Sequence, residues 1–193
     1  MSDFYKTGNR DLQDQFNSRK LADRLEEMIV HEEITEQDRG FIESRDMMFI
    51  STVDEFGSPT VSYKGGDTGF IRVVDSKTLA FPGYDGNGMF LTAGNIAANS
   101  RVGILLIDLE NPMRLRLHGN ATATPDDPLL NDYSDALYVI RVNIDNLFIN
   151  CPRYIHRYQK LATSEYIPTA GCPTPVPEWK TIEPLREVLP ENL

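Results

Sequence analysis

Between Met47 and Phe81 the chain holds short β-branched runs, each closed by a turn signal, and a sequence so punctuated folds economically only as antiparallel sheet. Met47-Met48-Phe49-Ile50-Ser51-Thr52-Val53 is broken by Asp54-Glu55-Phe56-Gly57-Ser58-Pro59. Thr60-Val61-Ser62-Tyr63-Lys64 alternates and stops at Gly65-Gly66-Asp67. Phe70-Ile71-Arg72-Val73-Val74 and Thr78-Leu79-Ala80-Phe81 flank the turn Asp75-Ser76-Lys77. Further strands are expected at Val102–Leu109, whose nearly unbroken apolar run marks it as central, at Met113–Ala123 and at Tyr138–Asn150. One short helix, about Met89–Asn99, interrupts them. That order excludes a doubly wound parallel sheet, in which strands and helices alternate throughout. The residues alone thus point to a mainly β fold with flanking helices, a barrel or sandwich.

The flanks differ. Leu12, Phe16, Leu21, Leu25, Met28 and Ile29 recur near the helical period, which predicts one amphipathic helix over roughly residues 9–31. Thr35-Glu36-Gln37-Asp38 reads as a cap and first turn of a helix running to about Ser44. From about Thr163 the prolines at 168, 173, 175, 177, 184 and 190 forbid long regular structure, and Trp179 is the natural anchor for a tail that wraps the domain or a partner. With 193 residues the chain is expected to form a single domain, divided into N-terminal helices (1–46), a barrel (47–150) and a C-terminal segment with its proline-rich tail (151–193).

Charge narrows the partners. Nineteen Lys and Arg against twenty-nine Asp and Glu leave a net charge of −10. Nucleic acid and anionic membranes are disfavoured by that balance, while a small anion remains accessible through a local basic pocket. Two cysteines, Cys151 and Cys172, make no disulfide framework. The widely spaced His31, His118 and His156 give no metal-binding spacing, so no metal is expected. No signal peptide or membrane span is legible around Met1-Ser2-Asp3-Phe4-Tyr5 or elsewhere, and the expected location is cytoplasmic.

Three segments could carry chemistry. Phe81-Pro82-Gly83-Tyr84-Asp85-Gly86-Asn87-Gly88-Met89-Phe90 joins a strand to a short helix through three glycines. Such a turn can aim backbone N–H groups and a helix dipole at an anion; Asp85 opposes that reading unless it points away or caps the helix. The bland alternative is an ordinary glycine turn. Ser62 and Lys64 share one strand face, as do Arg114 and Arg116, and together these hydroxyl, ammonium and guanidinium groups are what a phosphate monoester needs. Each pair taken alone is plain sheet surface. Asn150-Cys151-Pro152-Arg153-Tyr154-Ile155-His156-Arg157-Tyr158 gathers cations and aromatics beside a cysteine that is either activated by them or, as the simpler expectation, buried and structural. His118 is expected to be a packed or interface histidine. No catalytic acid, base or nucleophile can be named.

Read in order, several stretches make the chain similar to a known family. They are Phe49-Ile50-Ser51-Thr52-Val53-Asp54 with Gly57 and Pro59, Val61-Ser62-Tyr63-Lys64-Gly65-Gly66-Asp67 with Gly69-Phe70, and Tyr84-Asp85-Gly86-Asn87-Gly88-Met89. Gly94-Asn95-Ile96, Arg114-Leu115-Arg116-Leu117 with Gly119 and Ala121, and Asn150-Cys151-Pro152-Arg153-Tyr154-Ile155 complete the series. The chain resembles the pyridoxamine 5′-phosphate oxidase-related, FMN-binding family with the split β-barrel fold, in an uncharacterised branch, over about residues 10–180.

The resemblance implies a homodimer with two FMN sites across the subunit interface. Carried over by position, Val61, Ser62 and Lys64 lie along the flavin, and Phe81 and Pro82 contact its ring or ribityl chain by backbone. Gly86, Asn87 and Gly88 meet the phosphate at the helix start. Arg114 approaches from the neighbouring strand, and Arg153 and Tyr154 approach the cofactor of either subunit. Two departures matter. The oxidases proper carry Ser-Arg-Lys after the aromatic residue of this loop, where this chain has Asp85-Gly86-Asn87-Gly88, so Lys64 and the arginines have to supply the missing charge. Their C-terminal Arg-Leu segment also has no counterpart in Val188-Leu189-Pro190-Glu191-Asn192-Leu193. The resemblance therefore implies an FMN-dependent oxidoreductase of an unidentified small-molecule substrate rather than of pyridoxamine phosphate. Its alternatives are a non-catalytic flavin carrier, or the same barrel holding a deazaflavin or haem.

Overall fold

The computed structural model describes residues 4–190; Met1-Ser2-Asp3 and the terminal Glu191-Asn192-Leu193, both read above, lie outside the described residues. In chain order the elements are α1 (Thr7–Gln15), α2 (Arg19–Ile29), β1 (Val30–His31), α3 (Glu36–Glu43), β2 (Met47–Val53), β3 (Pro59–Gly65), β4 (Arg72–Asp75) and β5 (Thr78–Tyr84). There follow α4 (Leu91–Ala98), β6 (Arg101–Asp108), β7 (Met113–Thr124), β8 (Ala136–Ile149) and a last helical turn α5 (Glu183–Arg186). The strands join in the order β3-β2-β6-β7-β8-β5-β4, with β1 pairing β8. Every pairing is antiparallel. The chain thus has the mainly antiparallel β fold with a few helices that the punctuation between Met47 and Phe81 required.

Alternation decides which face is inside. Met48, Ile50 and Thr52 of β2 are buried, and their partners Leu106, Ile104 and Val102 on β6 are buried with them. Leu115 and Leu117 of β7 and Leu147, Ile144, Val142 and Ile140 of β8 complete the core with Leu79 and Phe81 of β5. β6 lies between β2 and β7, which accounts for its nearly continuous apolar run. Val139, on the other side of β8, buries instead against Ala80 and Tyr133.

The expected single helix over residues 9–31 is two helices. Asn17 takes a left-handed conformation (φ 52), which a short polar side chain tolerates and which stops α1 before α2 begins. Its apolar stripe is not covered within the protomer: Leu12, Phe16, Leu21, Leu25 and Met28 all stay exposed. The α3 cap is as the sequence requires, with the Thr35 hydroxyl accepting from the Asp38 N–H at 3.2 Å. β4 starts at Arg72 rather than Phe70, because Phe70 closes the preceding turn by donating its N–H to Asp67 O at 2.9 Å. No helix among the described residues is long and apolar enough to cross a membrane.

Candidate functional site

β3 is an edge strand, and its two faces present different chemistry. Ser62 pairs with Ile50 and Lys64 with Met48, so both lie on the face that β2 turns toward the core. Val61 and Tyr63 occupy the opposite face and are 67% and 60% exposed. Lys64 is half-buried, and its ammonium makes no hydrogen bond or ion pair among the described residues. Burial pushes its pKa below the usual lysine value.

Helix α4 is laid against this face by two side-chain hydrogen bonds. Asn95 Nδ2 donates to Thr52 Oγ1 at 3.0 Å, and buried Thr92 donates from Oγ1 to Ser62 Oγ at 3.2 Å. Thr52 pairs with Thr60, so going back along the helix from Asn95 to Thr92 goes forward along β3 from Thr60 to Ser62. Three helical residues rise about 4.5 Å and two strand residues about 6.7 Å, so the next step brings the helix N-terminus toward the level of Lys64. That terminus is open: its N-cap, Phe90, is left-handed (φ 49) and makes no side-chain capping hydrogen bond. Free N–H groups and the positive end of the helix dipole therefore lie on the same side of β3 as an unpaired ammonium.

The glycine loop leads into that terminus. Gly88 has φ 74, which lets the chain double back before α4, and Asn87 Oδ1 holds the bend by accepting from the Met89 N–H at 3.1 Å. Upstream, a Cβ on Gly83 would fall 2.1 Å from the Tyr138 ring, so only glycine admits that ring against β5. The ladder between β4 and β5 ends at Ala80, leaving the backbone of Phe81 and Pro82 without a strand partner on that side. Phe81 itself is wholly buried in the core, and any contact it makes outward runs through its backbone. A strand edge left open in this way is where a proline is tolerated in a sheet.

Asp85 does not face the loop as a bare carboxylate. Lys180, from the proline-rich tail, donates from Nζ to Asp85 Oδ2 at 2.5 Å, and its side chain is only 9% exposed. Its ammonium also sits 5.7 Å from the centroid of the Trp179 ring. A cavity of about 550 Å³ opens beside the pair, walled by Tyr84, Gly86, Tyr166, Pro175, Trp179 and Lys180. Sequence reasoning singled out Trp179 and missed its neighbour. The one available signal was a lone lysine beside the only tryptophan of the tail.

The remaining candidates form a second cluster on the other face of the sheet. Arg114 pairs with Ile107, one register step from the core pair Leu106 and Leu115, and so points away from Lys64. Its Nη2 donates to Cys151 O at 2.9 Å, while its Nε is buried without a partner. Arg153 and Tyr154 follow, both exposed, with the guanidinium 5.7 Å from the Tyr154 ring centroid. Cys151 is exposed rather than buried as expected, because the chain leaves β8 at Ile149 and runs over the surface. The backbone N–H of Arg153 bonds to the sulfur and lowers its pKa. His118 is exposed and meets Phe148 edge-on at 5.4 Å. It borders a further cavity of about 1270 Å³ between the α1–α2 hairpin and the outer sheet face. One protomer therefore places Ser62 and Lys64 on the strand face that carries α4, with the glycine loop leading into that helix, and turns Arg114 to the opposite face.

Comparisons with known proteins bear on the family and the fold. The profile of the family described as Pyridoxamine 5′-phosphate oxidase matches residues 34–144. A crystal structure of a candidate pyridoxamine 5′-phosphate oxidase from Lactobacillus delbrueckii is similar, with 23% identity, a TM-score of 0.50, and coverage of 61% of this chain and 95% of that one. The haem storage protein HutZ from Vibrio cholerae aligns at 18% identity and TM-score 0.46, over 60% and 94% of the two chains. An FMN-binding protein from Syntrophomonas wolfei aligns at 11% and 0.45, over 72% and 97%. A comparison with curated proteins gave no match.

Proposed function

Because the chain belongs to the pyridoxamine 5′-phosphate oxidase family, matched over more than half its length, we propose that it is an FMN-binding flavoprotein that acts as an oxidoreductase on a small reduced substrate. The observation that carries this reading is an unpaired, half-buried ammonium on the strand face against which an uncapped helix N-terminus is laid. Lys64 has no partner among the described residues, and α4 has no side-chain cap. A phosphate monoester would satisfy both at once and add the charge attraction that a neutral acceptor lacks.

The rest of the site fits the same group. Gly86, Asn87 and Gly88 leave the approach to the helix unobstructed, since a Cβ at Gly86 or Gly88 would meet nothing within 4 Å. The free backbone edge at Phe81 and Pro82 can meet a flat polar ring, and Ser62 is held in place by Thr92. When bound, FMN supplies the two-electron redox chemistry, and the protein contributes orientation and electrostatics.

We further propose a homodimer, which the same placement supports. Arg114 cannot reach the Lys64 face of its own protomer, yet its buried Nε lacks an acceptor. We assign it to a cofactor bound on the partner, with Arg153 and Tyr154 near it. The exposed Val61 and Tyr63, beside half-buried Phe49, Leu105 and Ile107, provide the apolar surface for such an interface.

The visible and mass spectra of the isolated protein test the reading. Flavin absorbance with the mass of FMN is expected, or its recovery after reconstitution, together with tighter binding of FMN than of riboflavin. A Soret band, or a colourless protein that takes up no FMN, would refute it. Reduction of the bound flavin by a substrate, beyond the photoreduction any flavoprotein permits, separates an enzyme from a carrier.

A further inference from the structure

We propose that Lys180 sets the phosphate selectivity of the glycine loop by neutralising Asp85, so that docking of the proline-rich tail and binding of an anion at Gly86–Gly88 are coupled. The inference rests on the flavin reading above and adds to it a residue from outside the matched segment, 34–144.

A carboxylate directly before Gly86 lies within one Debye length, about 8 Å, of any anion on the loop, and would repel it. The protein removes that charge from a distance of 95 residues in sequence. Lys180 is nine-tenths buried, and its only ion-pair partner among the described residues is Asp85. Leaving an ammonium this deeply buried without its partner is strongly unfavourable, so the docked position of Lys180 depends on Asp85. The reverse holds as well: when the tail leaves, Asp85 is exposed and bare.

The tail is led to this position by polar ties along its course. Tyr158 donates its N–H to Leu109 O at 3.0 Å, Lys160 Nζ reaches Asp46 Oδ2 at 2.6 Å, and Thr174 donates to Asp135 Oδ2 at 2.7 Å. Prolines 168, 173, 175 and 177 along the way to Lys180 reduce the freedom lost on docking. The tail still leaves the cavity of about 550 Å³ beside Gly86, so it borders the loop without filling it.

The test measures dissociation constants of the full chain for FMN and for riboflavin, which lacks the phosphate. Lys180→Met is expected to weaken FMN about tenfold and leave riboflavin within about twofold. Lys180→Arg should keep the parent ratio. Asp85→Asn combined with Lys180→Met should recover most of the lost FMN affinity, because no bare carboxylate remains. An unchanged ratio in Lys180→Met, or a double variant as weak as the single one, would overturn the inference. Parent protein that does not prefer FMN to riboflavin would overturn the flavin reading too, and that failure is recognised by its appearing before any substitution.

Discussion

Thr92 donates a hydrogen bond to Ser62, Oγ1 to Oγ at 3.2 Å, and this one contact pins the N-terminal turn of α4 to the strand that carries Lys64. Neither residue is charged, but together they fix the geometry in which a charge can be used. With the Asn95–Thr52 bond this contact keeps the helix N-terminus and the ammonium on one face of β3.

Lys64→Met separates stability from binding. Replacing the half-buried, unpaired ammonium with an apolar chain should raise the melting temperature of the flavin-free protein by about 2–4 °C per kcal/mol of relieved burial. The same change should weaken FMN by about 1.5–3 kcal/mol, the scale of a lost charged hydrogen bond. Calorimetry without flavin and fluorescence titration with it check the two signs. The pH dependence follows: burial lowers the Lys64 pKa below its ordinary 10.5, so the unfolded chain holds the proton to higher pH than the folded one. Stability of the flavin-free protein therefore gains from this group as pH rises from the lowered value toward 10.5.

Gly83→Ala should destabilise the protein by about 1–3 kcal/mol, the usual range for overpacking. The added methyl would stand 2.1 Å from the Tyr138 ring, which must then move against Phe90, whose ring centroid lies 6.4 Å from it. Because Phe90 is the N-cap of α4, FMN affinity should fall with stability. Chemical denaturation and flavin titration on the same sample measure both, and an unchanged midpoint would show that the ring yields freely.

Much of this was legible beforehand because period and punctuation act locally. The turns at Gly57, Gly65-Gly66 and Asp75 delimit β2, β3, β4 and β5, and the alternation of Met113–Leu117 fixes the faces of β7. The pairing of Ser62 with Lys64, and of Arg114 with Arg116, was equally local. What stayed hidden depends on the relation between distant segments. Opposite faces for Lys64 and Arg114 emerge only once the register across β2, β6 and β7 is known. The Asp85–Lys180 pair joins a loop to a tail that carries no periodic signal at all. The break at Asn17 was missed for the opposite reason, since the apolar spacing continues through it while the backbone does not.

Asp38 makes stability depend on acid. Burial raises the pKa of its carboxyl, but hydrogen bonds from the Thr35 hydroxyl (2.5 Å), from His31 Nε2 (2.8 Å) and from the Thr35 N–H (3.0 Å) outweigh it, and the net shift is downward from 3.8. A lowered folded pKa contributes stability that is complete above 3.8 and is lost as pH falls through the folded value. Asp38→Asn should cost about 1–2 kcal/mol at neutral pH. It should also flatten the loss of stability on acidification below the ordinary carboxylate range. Melting curves of parent and variant between neutral and acid pH check it, and parallel acid limbs would rule out the assignment.

Lys64 and Arg114 lie on opposite faces of one sheet, so a site using both has to be shared between subunits. Lys64→Met and Arg114→Ala should each weaken FMN binding when present in both subunits. Mixed dimers behave differently. If the sites are shared as proposed, a Lys64→Met subunit beside an Arg114→Ala subunit carries one site with both defects and one site with neither. Unfolding and refolding the two variants together, or coexpressing them with different tags, should therefore restore one tight FMN site per mixed dimer. If each site were built within one protomer, every site in the mixture would keep a defect and no tight binding would return. Titration of purified mixed dimers reads the outcome as a stoichiometry, which a general loss of stability in either variant cannot imitate.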